Sequence, residues 1–177
     1  MYERAKAEQI ASSFVKDFQD FGVSLSETYH SPRFETVIKD WLIVKKEGHI
    51  PTRSELDPLR YPKIMPYMGL YEPVTGEKDW RFRICGTAMV RVFNTDATGK
   101  RMFGDGVIED NIRPAFTRYF DLVYNWPHPI WFNGTVWYWQ DKHHISYEGL
   151  SLPLSKDGHT ISQNLQIFHY FSGDELH

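Results

Sequence analysis

The chain has 177 residues and a mass of 20.9 kDa, the length of one domain, and a chain of this size buries roughly 70 % of its unfolded surface without metal or disulfide staples. With 20 Lys and Arg against 23 Asp and Glu, its formal net charge is −3 and its pI is about 6.2, which argues against nucleic acid as the main partner, because phosphate binding needs clustered excess cations. No apolar run approaches the ~20 residues of a membrane span, the start lacks the basic-then-apolar pattern of a secretory signal, and the single cysteine, Cys85, suits a reducing cytoplasm.

Taken in order, the first third reads as helical. Ile10, Phe14, Phe18 and Phe21 recur at spacings of four, four and three and form one stripe of a helix. Residues 22–31 read as a loop. Ser31 is a good N-cap, with Pro32 at the first helical position, and Phe34, Val37, Ile38 and Trp41 mark a second stripe that Gly48 stops. Pro51, Pro58, Pro62 and Pro66 forbid any long helix or central strand across 50–66, and Asp57 is placed to cap a turn beginning at Pro58. Segments 67–74 and 80–87 then read as paired strands, with Trp80, Phe82 and Ile84 on one face and Arg81, Arg83 and Cys85 on the other. Residues 87–94 make about two helical turns, 96–106 are turn-rich, and a helix runs from Asp110 to about Tyr124 on the stripe Ile112, Phe116, Tyr119, Phe120 and Val123. Three strands close the chain, at 129–139, 144–154 and 160–171, the last two joined by a turn at Lys156–Gly158.

The chemistry-bearing residues form no metal or nucleophile signature. His143 and His144 are adjacent, so in a strand they point to opposite faces, and there is no HExxH, HxH or cysteine partner for zinc. No GxSxG elbow, P-loop or GxGxxG is present. Cys85 sits in a predicted strand without an acid or base beside it and reads as a structural thiol. Aromatic content is high, with six Trp, ten Tyr and twelve Phe; ten of these 28 lie between Phe116 and Trp139. Such side chains make a core, a ligand pocket or an interface.

Two strands, short helices ending in a longer one, then three antiparallel strands is the element order of the PAS fold. Local sequence narrows the match at IPTRSELDP (50–58), YPKIMP (61–66), ICGT (84–87) and DATGK (96–100). With Trp41, Pro51, Arg53, Asp57, Pro58, Pro66, Gly86, Thr87, Thr98 and Gly99 in place, residues 32–170 resemble a bacterial PAS-like family, commonest in alphaproteobacteria, most of whose members have no assigned function. The resemblance implies an α+β domain over 32–171, in which helices cover one face of a five-stranded antiparallel sheet, with a helical extension at 1–31 and a short tail at 172–177. It implies a cytoplasmic sensory or regulatory module that binds a small molecule, a partner protein or both, and signals by population shift. The ligand is not named by the sequence. Flavin light sensors of this class carry a reactive cysteine in an NCRFLQ-type helical segment, whereas Cys85 lies on a strand. Haem sensors typically use a histidine on the long central helix, and Asp110–Tyr124 has none.

Two other readings stay open: a small enzyme with a cone-like fold similar to ketosteroid isomerase-like proteins, and an interaction scaffold whose interior is filled by Trp and Phe. The expected pocket has Met89 and Phe93 on the short helix, Phe116 and Phe120 on the longer one, and Tyr147 on the middle strand. Gln163 and His169 are its polar groups, on the same face as Ile161, Leu165, Ile167 and Phe171. A bulge near Gly149 would turn both Ile145–Tyr147 and Leu150–Leu152 inward. The Ile10–Phe21 stripe is expected to cover the outer sheet face or to pair two copies as a homodimer.

Overall fold

Helices and strands begin and end where the sequence punctuates them. The computed structural model describes residues 24–26, 32–136 and 145–172; the Ile10–Phe21 stripe, the Ser31 cap and the His143–His144 pair lie outside the described residues. In chain order the elements are β1 (Ser24–Ser26), α1 (Glu35–Val44), β2 (Met68–Pro73), β3 (Trp80–Cys85), α2 (Thr87–Phe93), α3 (Arg113–Val123), β4 (Ile130–Thr135), β5 (Ile145–Ser155) and β6 (Ile161–Ser172). Among the described residues, no helix is long and apolar enough to cross a membrane.

All neighbouring strands are antiparallel, in the order β1-β4-β5-β6-β2-β3. The last strand therefore lies in the centre beside the first strand of the predicted set, with α2 and α3 inserted between the two halves of the sheet. This is the PAS-like α+β arrangement, built from the five predicted strands. A sixth strand, β1, extends the β4 edge. The sequence assigns its three residues to a loop, because so short a segment shows no alternation.

Both faces of the sheet are covered. On the inner face, Met89 of α2 and Ala115, Tyr119, Phe120, Leu122 and Val123 of α3 pack against Tyr71, Trp80, Phe82 and Ile130. On the outer face, Phe34, Val37, Ile38 and Trp41, the stripe predicted for α1, meet Leu56, Tyr61, Met68, Leu70, Leu150, Leu152, Leu154, Leu165 and Ile167. Trp41 is fully buried there, and its indole N–H donates to the Pro153 carbonyl at 3.0 Å.

Face parity departs from simple alternation in β3. The β2–β3 register pairs Leu70 with Ile84 but Tyr71 with Phe82, leaving Arg83 as an extra residue. A bulge of this kind reverses the faces on its two sides. Trp80 and Phe82 therefore face inward, as read, whereas Ile84 packs on the outer core and Cys85 on the inner one. The expected grouping of Ile84 with Trp80 and Phe82 is corrected by that one residue.

Local hydrogen bonds fix the connections. Asp57 caps the turn at Pro58 as predicted, accepting from the Leu59 N–H at 3.0 Å. Asp157 accepts from the His159 and Thr160 N–H groups, both at 2.8 Å, and Gly158 takes φ +81°, closing the predicted β5–β6 turn. The buried Asp79 carboxylate accepts from the backbone N–H of Trp80, Phe103 and Gly104 at 2.8, 3.1 and 2.8 Å, tying the β2–β3 hairpin to the 96–106 segment. That segment also covers the β3 edge: Phe82 N–H donates to Lys100, and Gly99 and Met102 N–H donate back to Phe82 and Trp80. An edge so paired offers no free ladder to another strand.

Gly86 stands where the chain leaves β3 and enters α2. A Cβ there would lie 2.3 Å from the Pro66 carbonyl oxygen, whereas at Gly104 it would meet only the guanidinium end of Arg101. We expect Gly86→Ala to cost about 1–3 kcal/mol and Gly104→Ala clearly less, because a backbone carbonyl cannot swing aside. Urea unfolding of both variants checks this; equal midpoints would show that the α2 start is not sterically locked.

Candidate functional site

The inner face carries five of the seven residues predicted for a pocket. Met89 and Phe120 are fully buried, and Phe93 and Phe116 are partly buried against the same core. Phe120 stacks on Trp80 at a ring separation of 4.2 Å and also meets Tyr71, Phe116, Tyr119 and Tyr124. Phe93 sits edge-on to Phe82 at 5.7 Å. Tyr147 joins the adjoining cluster with Phe132 and Phe168, at 6.0 and 5.9 Å. Gly69 makes room for two of these groups, since a Cβ there would lie 2.8 Å from the Tyr71 hydroxyl and 3.0 Å from the Met89 methyl.

Gln163 and His169 do not join them. They share the parity of Leu165 and Ile167, as predicted, but that is the outer face. The error lies in assigning the more aliphatic face of β6 to α2 and α3; α1 and the proline-rich connector claim it instead. The Gln163 amide donates to Glu72 Oε1 at 2.6 Å. His169 lies against the Arg33 guanidinium and the rings of Tyr67 and Phe171. The bulge expected near Gly149 is also absent, because β5 keeps unbroken register with β4 and β6 through that residue. Tyr147 faces inward and Leu150 and Leu152 outward, by plain alternation. Gly149 is needed for another reason: a Cβ would fall 2.3 Å from the Phe132 ring.

In place of Gln163 and His169, β5 and β6 present Ser151, Asn164 and Gln166 to the inner face, all buried. The Asn164 amide donates to the Ser151 hydroxyl at 2.8 Å, and the Gln166 amide donates to the Tyr119 hydroxyl at 2.8 Å. Burial drives the Tyr119 hydroxyl upward, against a smaller lowering by a hydrogen bond from Ser151, so the phenol stays neutral. Tyr124, raised by burial and by the Glu72 charge, donates to the Tyr71 carbonyl at 2.9 Å. The result is a row of neutral donors and acceptors on the central strands, framed by aromatic rings. Its signal in the sequence is the parity of Asn164, Gln166, Phe168 and Tyr170, polar side chains alternating with aliphatic ones in a strand too central to be solvated.

Charged groups gather on the other face. Burial pushes the Glu72 carboxyl up, but hydrogen bonds from Gln163 and Lys156 and the charges of Lys156 and Arg83 outweigh it, and the group sits below its ordinary value. Cys85, half-buried, has its thiol raised by burial, the state of an unreactive sulfur. Among the described residues, no three His, Cys, Asp or Glu side chains gather to hold a metal ion.

No protein-family model and no curated protein matches the chain. Among solved structures it is similar to that of an RNA-binding light-oxygen-voltage receptor, with a TM-score of 0.45 and 11 % identity over 86 % of this chain and 39 % of that one. The chain thus spans about two-fifths of that receptor's length.

A carboxyl held below its ordinary value stabilises the fold above its unfolded-state pKa, and this contribution fades as pH falls through the folded one. We expect Gln163→Leu, which removes a donor to Glu72, to lower stability by about 1–3 kcal/mol at pH 7. The deficit should shrink below pH 4.5, the ordinary value of the Glu72 carboxyl, as that group protonates in both proteins. Urea melts at pH 7 and pH 3.5 measure it; an equal deficit at both would remove the charge from the explanation.

Proposed function

We propose that this chain is a PAS-like sensory or regulatory module of the bacterial cytoplasm, which binds a small neutral or weakly polar molecule on its helix-covered face and passes the change to a partner protein. The observation that carries this reading is the buried row Ser151, Asn164, Gln166 and Tyr119 beneath α3. An apolar core would be at least as stable without those groups, since a buried hydrogen-bonded pair replaced by apolar groups of equal shape is nearly neutral. Ligand pockets, by contrast, are mostly apolar and aromatic walls with a few placed polar groups. The ligand would be held by exchanging the Gln166–Tyr119 and Asn164–Ser151 bonds for bonds to itself, with Met89, Phe93, Phe116 and Tyr147 as walls. Its effect on α2 and α3 is bounded by its differential affinity for the two packings.

The enzyme reading asks for a carboxyl raised toward neutrality inside the pocket. Among the described residues, the carboxyls that shift, Glu55, Glu72, Asp96, Asp105 and Asp157, are all lowered. A second reading, the ligand-free scaffold, is favoured by the close stacking of Phe120 on Trp80, because rings so placed already fill part of the interior.

Native mass spectrometry of the freshly purified chain, beside denaturing mass spectrometry, separates the two. The expected result is a reproducible extra mass in the native spectrum alone, diminished in Gln166→Leu while Gln163→Leu retains it. A bare native mass, unchanged after incubation with a metabolite extract, would favour the scaffold.

A further inference from the structure

A second feature lies on the opposite side of the sheet. The connector and the β5–β6 turn run side by side: Ile50 N–H donates to the Gly158 carbonyl at 2.7 Å, Ser155 N–H donates to the Pro51 carbonyl at 2.9 Å, and Thr52 bridges to Ser155. Between them opens a cleft of about 450 Å³, lined by Thr52, Arg53, Ser54, Asp57, Ser155, Lys156 and Gln163.

The sequence TRSE at 52–55 locks one wall. Thr52 N–H donates to Glu55 Oε2 at 2.8 Å, Glu55 N–H donates back to the Thr52 hydroxyl at 3.4 Å, that hydroxyl donates to Glu55 Oε2 at 2.9 Å, and His49 lies 3.1 Å from the same oxygen. This reciprocal arrangement is a capping box, and it holds Arg53 and Ser54 outward. Almost every other part of the wall is engaged. Asp57 accepts from Leu59, Ser155 accepts from Gly158, Gln163 donates to Glu72, and Lys156 lies 3.1 Å from Glu72. Glu72 is further offset by Arg83 at 3.4 Å. Arg53 alone among the lining cations makes no hydrogen bond or ion pair among the described residues. A guanidinium on a fixed backbone, with Lys156 and Ser54 lining the same cleft, has the donor set for a phosphoryl group, a planar fork, a point charge and a hydroxyl that now meets the Thr52 hydroxyl at 3.0 Å and would turn to the ligand.

We propose that this cleft is a binding site for the phosphoryl group of a small phosphorylated molecule, with Arg53 as its principal ligand-contacting residue and Lys156 and Ser54 as secondary donors. It faces away from the polar row of the inner face, so the two sites stand or fall separately.

The test is a ¹H–¹⁵N correlation titration of the full chain with inorganic phosphate, at constant ionic strength and pH, with sodium acetate as the parallel titrant. Phosphate is expected to shift the amides of Thr52, Arg53, Ser54, Ser155 and Lys156 saturably, and acetate to do so much more weakly. Arg53→Gln should weaken the phosphate response about tenfold, while Lys63→Gln, an exposed cation outside the lining, leaves it unchanged. Because Arg53 is exposed and unpartnered, its variant should melt within about 1 °C of the parent, so lost binding is not lost fold. An unresponsive cleft, an equal response to acetate, or a phosphate response that survives Arg53→Gln would each overturn the proposal.

Discussion

The antiparallel pairing of β5 with β6 is the constraint on which the rest depends. It runs in register from Ile145–Ser172 to Leu154–Gln163, with one irregularity at Ser155, and it lies at the middle of the sheet, between β4 and β2. Because side chains alternate strictly along both strands, a single register sends Leu150, Leu152, Leu154, Leu165 and Ile167 to one face. The same register sends Tyr147, Ser151, Asn164, Gln166 and Phe168 to the other. A slip of one residue would place the amides under Trp41 and the leucines under Tyr119. The hydrophobic demand of α1 on one side and the hydrogen-bond demand of Tyr119 on the other therefore select the same pairing, and their agreement specifies it.

Much of this was legible in the sequence. The helix stripes Phe34–Trp41 and Ile112–Val123 and the hairpins at 68–85 and 145–172 announce themselves because each has a strong period and a turn signal at its end. The Asp57 cap and the Asp157–Gly158 turn are equally local: a side-chain oxygen meets N–H groups two or three residues ahead, and no tertiary information is needed. What was lost was the face. Alternation says which residues of β6 go together, but not which face is which when both are covered. The usual assumption, that the aliphatic face meets the helices, fails because two layers of helix compete for it. The Arg83 bulge was lost for a related reason. Inserting one residue changes no composition, and only the partner register shows that Ile84 and Phe82 have parted.

Several of the motif residues singled out in the sequence hold backbone. Trp41 anchors α1 to Pro153, Gly86 lets Pro66 approach, and Asp57 caps its turn. Thr98 N–H donates to Asp96 at 2.8 Å, while Gly99, at φ +82°, carries the chain back to the β3 edge. Structural work of this kind explains a motif without any ligand. Arg53 is the exception, since no described residue pairs with its charge.

The two faces meet along β6, where Gln163 and Asn164 are neighbours in sequence. One donates outward to Glu72 and the other inward to Ser151. A change in packing on either face reaches the other by moving the strand between them, because a close-packed interior transmits strain. The ladder on both sides of β6 resists such movement. What can shift at lower cost is the layer above: α2 spans only seven residues, ends at Asn94 in a left-handed conformation, and rests on the sheet through Met89, Val92 and Phe93. Under the proposed function, a signal that begins at the inner polar row would leave through α2 and α3, the helices that pack on that face, with the outer face, held by Trp41 and the connector, as the frame against which they move.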